Sequence, residues 1–299
     1  MPQAESNGLV LEYEEFGDPA DPPVLLVMGL NAQMTVWPED FCRQLAGRGH
    51  RVIRFDNRDV GLSTWFDQFP PGDPVEAFLT FLGGGTVEST YALSDLADDA
   101  AGLLDALGLD SVHVVGASFG GMIAQRVAMG HPDRVRSLTS IMSMPRIIPM
   151  DLEVLLSLQA PDVDPSDCEA IADAEVAAAR LYAGTGFAFD EVGARERSLA
   201  NQERAWHPDG GVRQAFAALA DEDRRPGLAE VMVPSLVIHG TEDPLVVPQG
   251  GQETADALPG AELVWIEGMG HEMPEAAWPQ ILDPISALIA RAEGSGKTD

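Results

Sequence analysis

The chain has 299 residues, of which 45% are apolar, enough for a globular protein with a sizeable core. With 48 acidic and 18 basic residues the formal net charge is −30, so we expect the surface to repel nucleic acid and anionic lipid. Lys297 is the only lysine, and its place in the tail GSGKTD argues against Schiff-base chemistry, which needs a lysine desolvated in a pocket.

The first 144 residues alternate between strand and helix patterns. Short apolar runs predict strands, and apolar residues at helical spacing predict helices between them. The predicted strands are 8–17, 24–29, 51–57, 112–117 and 135–143, and the predicted helices are 37–49, 93–109 and 119–132. Residues 58–74 are predicted to be loop, and the glycine run at 81–90 to be flexible linkage. This alternation predicts a parallel sheet with helices on both faces.

The pattern changes after residue 144. Up to residue 228 there is no convincing buried strand, and four mostly acidic stretches are helical in composition: 151–159, 168–184, 191–206 and 211–225. The acidic helices are interpreted as a solvated face. Strand and helix patterns return at 234–240, 250–260, 261–268 and 274–292. We therefore predict an α/β core formed by 1–144 and 229–299, with a helical cap inserted at 145–228.

Ser118 stands in the sequence G-A-S-F-G at residues 116–120, which matches the pattern G-x-S-x-G. It follows an apolar strand and opens a helix, the setting of a nucleophile elbow. Such a turn strains the serine backbone, and only small residues two positions away let strand and helix pass so closely. The bend would lift the hydroxyl above the carboxyl edge of the sheet, where open α/β sheets bind ligands. Taken alone, the segment also fits an ordinary Gly/Ser turn.

A serine hydroxyl is a weak nucleophile near neutral pH, so it needs a base, and the base needs an orienting group. His271 is the candidate base because it follows a strand on the glycine-flanked loop GMGHEMP. Asp243 is the candidate acid, in VIHGTEDPLV, with Glu242 beside it as the alternative. The order Ser118, Asp243, His271 is the chain order of α/β-hydrolase triads. The other histidines are predicted to lie in turns (His50, His131, His207) or to be packed inside strands (His113, His239).

The reaction also needs donors for an oxyanion. We predict that these are the backbone N–H groups of Phe119 and of Leu30, in the loop after the strand at 24–29. Substrate contacts are predicted for Gly29, which allows a close turn, for Asn31 as a side-chain donor or a plain turn residue, and for Trp37.

Two further groups of residues are open to more than one interpretation. Four aromatic residues in the first half of the chain either line an apolar pocket or pack in the core or against the cap: Trp37, Trp65, Phe66 and Phe69. Asp56 and Arg58, in DNRDVGLS, are interpreted as part of a structural loop near the site, with a catalytic acid as the alternative.

These motifs resemble the α/β-hydrolase superfamily over nearly the full length of the chain. Within it, VLLVMGLNAQMTVWPEDF, RVIRFDNRDVGLST, VVGASFGGMIAQ, LVIHGTEDPLV and GMGHEMP are similar to the aclacinomycin methylesterase group of serine esterases. Many hydrolases of the superfamily carry His-Gly after the third strand. This chain carries Met28-Gly29 there, as the methylesterase group does. The resemblance implies an eight-stranded sheet, a helical cap over the site, a triad of Ser118, Asp243 and His271, and ester hydrolysis through an acyl-enzyme.

The expected activity is that of a serine esterase on a small apolar ester, such as a methyl ester of a polyketide-like molecule. Alternatives are another acyl chemistry on the same triad (lactone, thioester or C–C hydrolysis, or acyl transfer) and a non-catalytic ligand-binding role. We expect no cofactor, and no metal, because HEMPE is not HExxH. The partners are then substrate and water, with no nucleic acid or membrane, in a monomer or homodimer. Two distant cysteines and no visible secretory signal predict a cytoplasmic protein.

Overall fold

A computed structural model describes residues 2–150, 152–157 and 163–295, and therefore not the tail that holds Lys297. Eight strands form one sheet: β1 Gln3–Ser6, β2 Leu9–Phe16, β3 Pro23–Val27, β4 Arg51–Phe55, β5 Val112–Ala117, β6 Val135–Ile141, β7 Ser235–Gly240 and β8 Glu262–Ile266. Their order across the sheet is β1-β2-β4-β3-β5-β6-β7-β8. β2 pairs antiparallel with β1 and β4, and the other pairs are parallel. The mostly parallel, eight-stranded sheet is as predicted.

Helices lie between the parallel strands and after the last one. They are α1 Glu39–Ala46, α2 Pro74–Leu82, α3 Leu93–Ala106, α4 Phe119–Gly130, α5 Leu152–Ser157, α6 Cys168–Tyr182, α7 Glu191–Arg204, α8 Pro208–Ala220, α9 Arg225–Leu228, α10 Pro248–Ala257 and α11 Trp278–Ser295. No helix in the ranges described combines the length and the apolar character needed to cross a bilayer.

The two faces of the sheet are covered by different helices. Alternate residues of β3 belong to different core clusters: Leu25 and Val27 to one, Val24 and Leu26 to the other. The first cluster includes the inner residues of α3 and α4, and the second includes those of α1 and α11. Because successive residues of a strand face opposite sides, helices pack on both faces, as the alternating sequence predicts.

Cys42 is a core residue of α1. Its side chain is fully buried in the second cluster, and burial raises the pKa of the thiol to about 12. Cys42 is therefore a neutral packing residue rather than a nucleophile at physiological pH. Cys168 is exposed, and neither cysteine forms a disulfide.

Among the elements not predicted from the sequence are β1, α2 and the short helix α9. The edge strand β1 is mostly polar and pairs only with β2. It is held by that pairing and by the Ser6 hydroxyl, which donates to the Asp99 carbonyl of α3 at 2.6 Å. The loop prediction is wrong at Pro74, which begins α2, and α2 extends to Leu82 within the predicted linkage. Asp73 caps this helix by accepting the N–H groups of Val75 and Glu76.

The segment between β6 and β7 contains α5 to α9 and no strand among its described residues. Part of the helix predicted at 151–159 lies outside the described residues. Ala217 of α8 and Leu228 of α9 are fully buried in the core cluster that also contains α3 and α4. The last part of the helical segment, α8 and α9, is therefore packed against the core, and the division of the chain at 145 and 228 stays a prediction.

Candidate active site

Ser118 lies in a sharp turn between β5 and α4. Its backbone has φ 57° and ψ −125°, a conformation that residues with a Cβ rarely adopt. Crowding explains why glycines flank it. A Cβ added at Gly116 would lie 2.1 Å from the Gly120 carbonyl oxygen, and one added at Gly120 would lie 2.2 Å from the Val27 carbonyl oxygen. The turn thus requires the two outer glycines of G-A-S-F-G and presents the serine at the carboxyl edge of the sheet.

His271 and Asp243 reach Ser118 from the loops that follow β8 and β7. The His271 Nε2 atom lies 2.9 Å from Ser118 Oγ, and its Nδ1 atom lies 2.7 Å from Asp243 Oδ2. The His271 side chain is 8% exposed and that of Asp243 is fully buried. The structure brings together three side chains that are up to 153 positions apart in the sequence.

The Asp243 carboxylate is held on its other side by its own loop. Oδ1 accepts the backbone N–H groups of Leu245 and Val246 at 2.9 and 2.8 Å. The Val246 carbonyl in turn accepts the ring N–H of buried His239 at 2.7 Å. Burial lowers the pKa of His239, although the nearby Asp243 charge acts in the opposite direction. A neutral His239 therefore supports the loop that aims the acid at His271.

His113 is likewise buried in a strand. Its Nδ1 atom lies 2.8 Å from Ser137 Oγ, and its Nε2 atom lies 3.2 Å from a Glu293 carboxylate oxygen. Burial lowers its pKa to about 4. Its contacts are those of the packed strand histidine that the sequence predicts.

Glu242, the alternative acid, points away from the histidine. Its carboxylate accepts the Thr185 backbone N–H at 2.6 Å and the Thr185 hydroxyl at 2.9 Å. Of the two neighbouring carboxylates, only Asp243 is in contact with His271 in the part of the chain described.

The loop carrying His271 is covered by the α6–α7 linker. The His271 backbone N–H donates to the Tyr182 carbonyl at 2.8 Å, and the Gly186 N–H donates to the Gly268 carbonyl at 2.9 Å. A Cβ added at Gly184 would lie 2.1 Å from the Gly268 oxygen. This glycine seam (Tyr182–Gly186 against Gly268–His271) holds the backbone of the histidine loop.

Two backbone N–H groups beside Ser118 have no acceptor among the described residues. One belongs to Phe119, the first residue of α4, and the other to Leu30, in the turn after β3. Gly29 is close to the serine, because a Cβ added to it would lie 3.1 Å from Ser118 Cβ. Asn31 packs against Gly211 of α8, and its N–H donates to the Gln214 side chain at 2.9 Å.

Trp37 does not line an open site. Its side chain has no exposed surface, and its ring centroid lies 5.4 Å from that of Phe41 within the second core cluster. Its neighbours make Trp37 a core residue, which agrees with the core interpretation and not with the substrate contact predicted for it. Trp65 instead stacks on His207, and Phe66 packs edge-on against Tyr91.

The loop after β4 is a structural element beside the site. The buried Asp56 carboxylate accepts the N–H groups of Met34 and Leu62 at 2.7 and 2.9 Å, and a guanidinium N–H of Arg204 at 2.7 Å. Arg58 donates to Asp99 on α3 with Nε and Nη2. Both residues are fully engaged in bonds between loops and helices, as the structural interpretation predicts.

Buried polar residues on the inner face of α8 were missed by the sequence analysis, which took the acidic helices as a solvated face. Arg213 is 2% exposed and donates to both oxygens of buried Asp59 at 2.8 Å. Gln214 is fully buried against the loops after β3 and β4. These side chains connect the helical segment to the loops after β3 and β4, at the carboxyl edge of the sheet.

Replacing Arg213 with methionine is expected to destabilise the fold by about 3–5 kcal/mol, because it leaves the Asp59 carboxylate buried without its partner. Burial acts to raise the pKa of Asp59, but hydrogen bonds from Arg213, Phe66 N–H and Tyr91 outweigh it and hold the pKa below its usual value. This stabilisation is present at neutral pH and is lost as the pH falls through that lowered pKa. Urea unfolding at pH 7 measures the loss.

The matched control for that substitution is Arg225→Met. Arg225 pairs with Asp223 on the surface, where both side chains are more than a third exposed. An exposed ion pair contributes only about 0–1 kcal/mol. Equal unfolding free energies for the Arg213 and Arg225 variants would contradict the structural role given to Arg213.

The fold and the site together define the class of protein. The chain belongs to the alpha/beta hydrolase fold family, whose family model matches residues 22–275. Within the described ranges no three His, Cys, Asp or Glu side chains are grouped so that they could hold a metal ion.

Two methylesterases and one solved structure are similar to the chain over nearly its whole length. Rhodomycin D methylesterase DauP of a Streptomyces species is 31% identical over 304 residues, which cover 94% of each chain. Rhodomycin D methylesterase DnrP of Streptomyces peucetius is 30% identical over 308 residues, covering 95% of each chain. An enol-lactonase structure from Burkholderia xenovorans superimposes with a TM-score of 0.71 at 24% identity, covering 97% of this chain and 100% of that chain. The last likeness concerns the fold alone.

Proposed function

We propose that the chain is a serine hydrolase that cleaves a carboxylic ester through an acyl-enzyme. The observation that carries this proposal is the continuous contact from Ser118 Oγ to His271 Nε2 and from His271 Nδ1 to Asp243, at 2.9 and 2.7 Å. These distances are short enough for direct proton transfer and for orientation of the imidazole. The family and the methylesterase relatives support the same chemistry.

In the proposed reaction His271 Nε2 accepts the proton of Ser118 as Oγ attacks the ester carbonyl carbon. The N–H groups of Leu30 and Phe119 stabilise the oxyanion of the tetrahedral intermediate. Asp243 accepts the His271 Nδ1–H and stabilises the imidazolium. His271 then gives its proton to the leaving alcohol. A water molecule, deprotonated by His271, attacks the acyl carbon and releases the acid and free Ser118.

The proposed substrate is a methyl ester of an apolar small molecule, and polyketide-like acids are the first to test. The support is that two relatives, 31% and 30% identical over nearly the whole chain, are rhodomycin D methylesterases. The rate of methanol release from a set of methyl esters would measure directly which acids the protein accepts. We propose a cytoplasmic location, because neither cysteine forms a disulfide in the structure.

The experiment that tests the proposed function is labelling with a fluorophosphonate, which reacts with an activated serine but not with an ordinary one. We expect one adduct per chain, and mass spectrometry of the digested protein should place it on Ser118. Ser143 is the internal control, since it is buried near the elbow without a hydrogen-bond partner among the described residues. An unlabelled Ser118 in folded protein would refute the nucleophile and leave the ligand-binding alternative.

A further inference from the structure

The loop after β3 turns through the four residues from Gly29 to Ala32. The Ala32 N–H donates to the Gly29 carbonyl at 3.3 Å, and the third residue of the turn, Asn31, has φ 54°. The second residue, Leu30, has a negative φ, so this is the type II pattern. Types I and II differ in the orientation of the central peptide, here between Leu30 and Asn31. The group that holds this peptide therefore decides the shape of the turn.

Gln214 of α8 holds that peptide. Its Oε1 atom accepts the Asn31 N–H at 2.9 Å, and its Nε2 atom donates to the Arg58 carbonyl at 2.9 Å. The Gln214 side chain is fully buried, and so is its bond to the Arg58 carbonyl, so water does not compete for that bond. Because one partner is a donor and the other an acceptor, only a side chain with both functions satisfies the two loops at once.

The backbone of α8 lies very close to the loops after β3 and β4, and this close packing fixes the distance between the helix and the loops. A Cβ added at Gly211, three residues before Gln214, would lie 2.6 Å from Asn31 Cγ. A Cβ added at Gly210 would lie 1.9 Å from the Asp59 carbonyl oxygen. Two glycines at the start of α8 thus allow the contact, and Gln214 supplies its hydrogen bonds.

We propose that Gln214 is a positioning residue for the oxyanion hole, which keeps the Leu30 N–H in place by holding the central peptide of the turn. The proposal rests on the proposed function. Without Gln214 the Asn31 N–H and the buried Arg58 carbonyl lose their partners, and the turn relaxes toward type I, in which Asn31 no longer needs a positive φ. An oxyanion donor acts only when it lies about 3 Å from the developing charge, so a mobile Leu30 N–H stabilises the transition state less.

The test begins with Gln214→Leu, which removes both hydrogen bonds at similar volume. Losing an oxyanion donor outright lowers kcat about 10²–10³-fold, so we expect a displaced donor to lower kcat roughly 10- to 100-fold. KM should stay within about 2-fold, because an oxyanion forms only in the transition state. Affinity for an alkylboronic acid, whose adduct on Ser118 puts an oxygen in the hole, should fall with kcat.

Gln202→Leu is the matched control. Gln202 is a glutamine of α7 that donates to the Cys168 carbonyl and to Ser198, both within the helical segment and away from the catalytic loops. We expect this variant to keep the kcat and the boronic acid affinity of the wild type. Melting temperatures of both variants show how much of any effect is loss of folded protein.

Gln214→Glu gives a second measurement that does not depend on the leucine variant folding. The ionised carboxylate accepts the Asn31 N–H but cannot donate to the Arg58 carbonyl, whereas the protonated acid does both. The ratio of kcat/KM of this variant to that of the wild type should therefore rise as the pH falls. A ratio independent of pH would contradict the need for a donor at this position.

The outcomes separate this proposal from the proposed function. If the wild type is labelled at Ser118 and Gln214→Leu keeps kcat and boronic acid affinity while only its melting temperature falls, Gln214 is structural and the inference is wrong. If the wild type is not labelled at Ser118, the serine mechanism itself is wrong. Equal losses of kcat in Gln214→Leu and Gln202→Leu would also overturn the inference.

Discussion

The variant Ser118→Ala is expected to hydrolyse esters with a kcat lower by roughly 10⁶-fold, the size of effect seen when a triad nucleophile is removed. The cause is the loss of the only Oγ in contact with His271 among the described residues. A small chromogenic ester such as p-nitrophenyl acetate provides the assay, with purified protein at high concentration to measure the residual rate.

Stability should not change with this substitution. Alanine has a Cβ, so it keeps the positive φ of the turn and the same backbone strain as serine. Circular dichroism and urea unfolding should therefore match the wild type. Ser143→Ala serves as the control for removal of a neighbouring hydroxyl. Activity retained by Ser118→Ala would exclude the acyl-enzyme mechanism.

The variant Asp243→Asn is expected to lower kcat by about 10⁴-fold, as removal of the charged acid does in serine proteases. The hydrogen bonds around the Asp243 side chain explain why asparagine cannot replace the aspartate. Two backbone N–H groups, from Leu245 and Val246, already point at Oδ1. The amide oxygen of an asparagine must stay there, so its NH₂ group faces His271 Nδ1. His271 then carries its proton on Nε2 and cannot accept the proton of Ser118.

Glu242→Gln is the control for this substitution. This variant loses the same charge as Asp243→Asn, at the neighbouring residue. The Glu242 carboxylate, however, contacts Thr185 rather than His271. We expect its kcat to stay near that of the wild type. Similar losses in the two variants would indicate a general electrostatic effect and would contradict the assignment of Asp243 as the orienting acid.

The sequence predicted most of the sheet because each central strand carries its own local signal. The run around Val24–Val27 is apolar throughout, as a strand buried on both faces must be. The sharp turn at Ser118 could also be predicted. Glycine is sterically required at positions 116 and 120, so the turn leaves a recognisable five-residue pattern in the sequence. The edge strand β1 has no such signal, since only Ser6 of its four residues is buried.

Helix α2 was missed for a different reason. The sequence analysis places Pro74 at the end of a loop, although proline at the first turn after Asp73 is a helix-start signal. The contacts of α8 could not be predicted at all. Arg213 and Asp59 are 154 positions apart, and an arginine on an amphipathic helix has the same pattern whether it faces water or a buried carboxylate.

The glycine seam has a consequence for engineering. The linker between α6 and α7 is hydrogen-bonded to the loop that carries His271, so detaching the helical segment would also disorder His271. A chimera that borrows this helical segment from a relative must therefore import the matching stretch around Gly268 and Gly270 as well, or it will be a well-folded but slow catalyst.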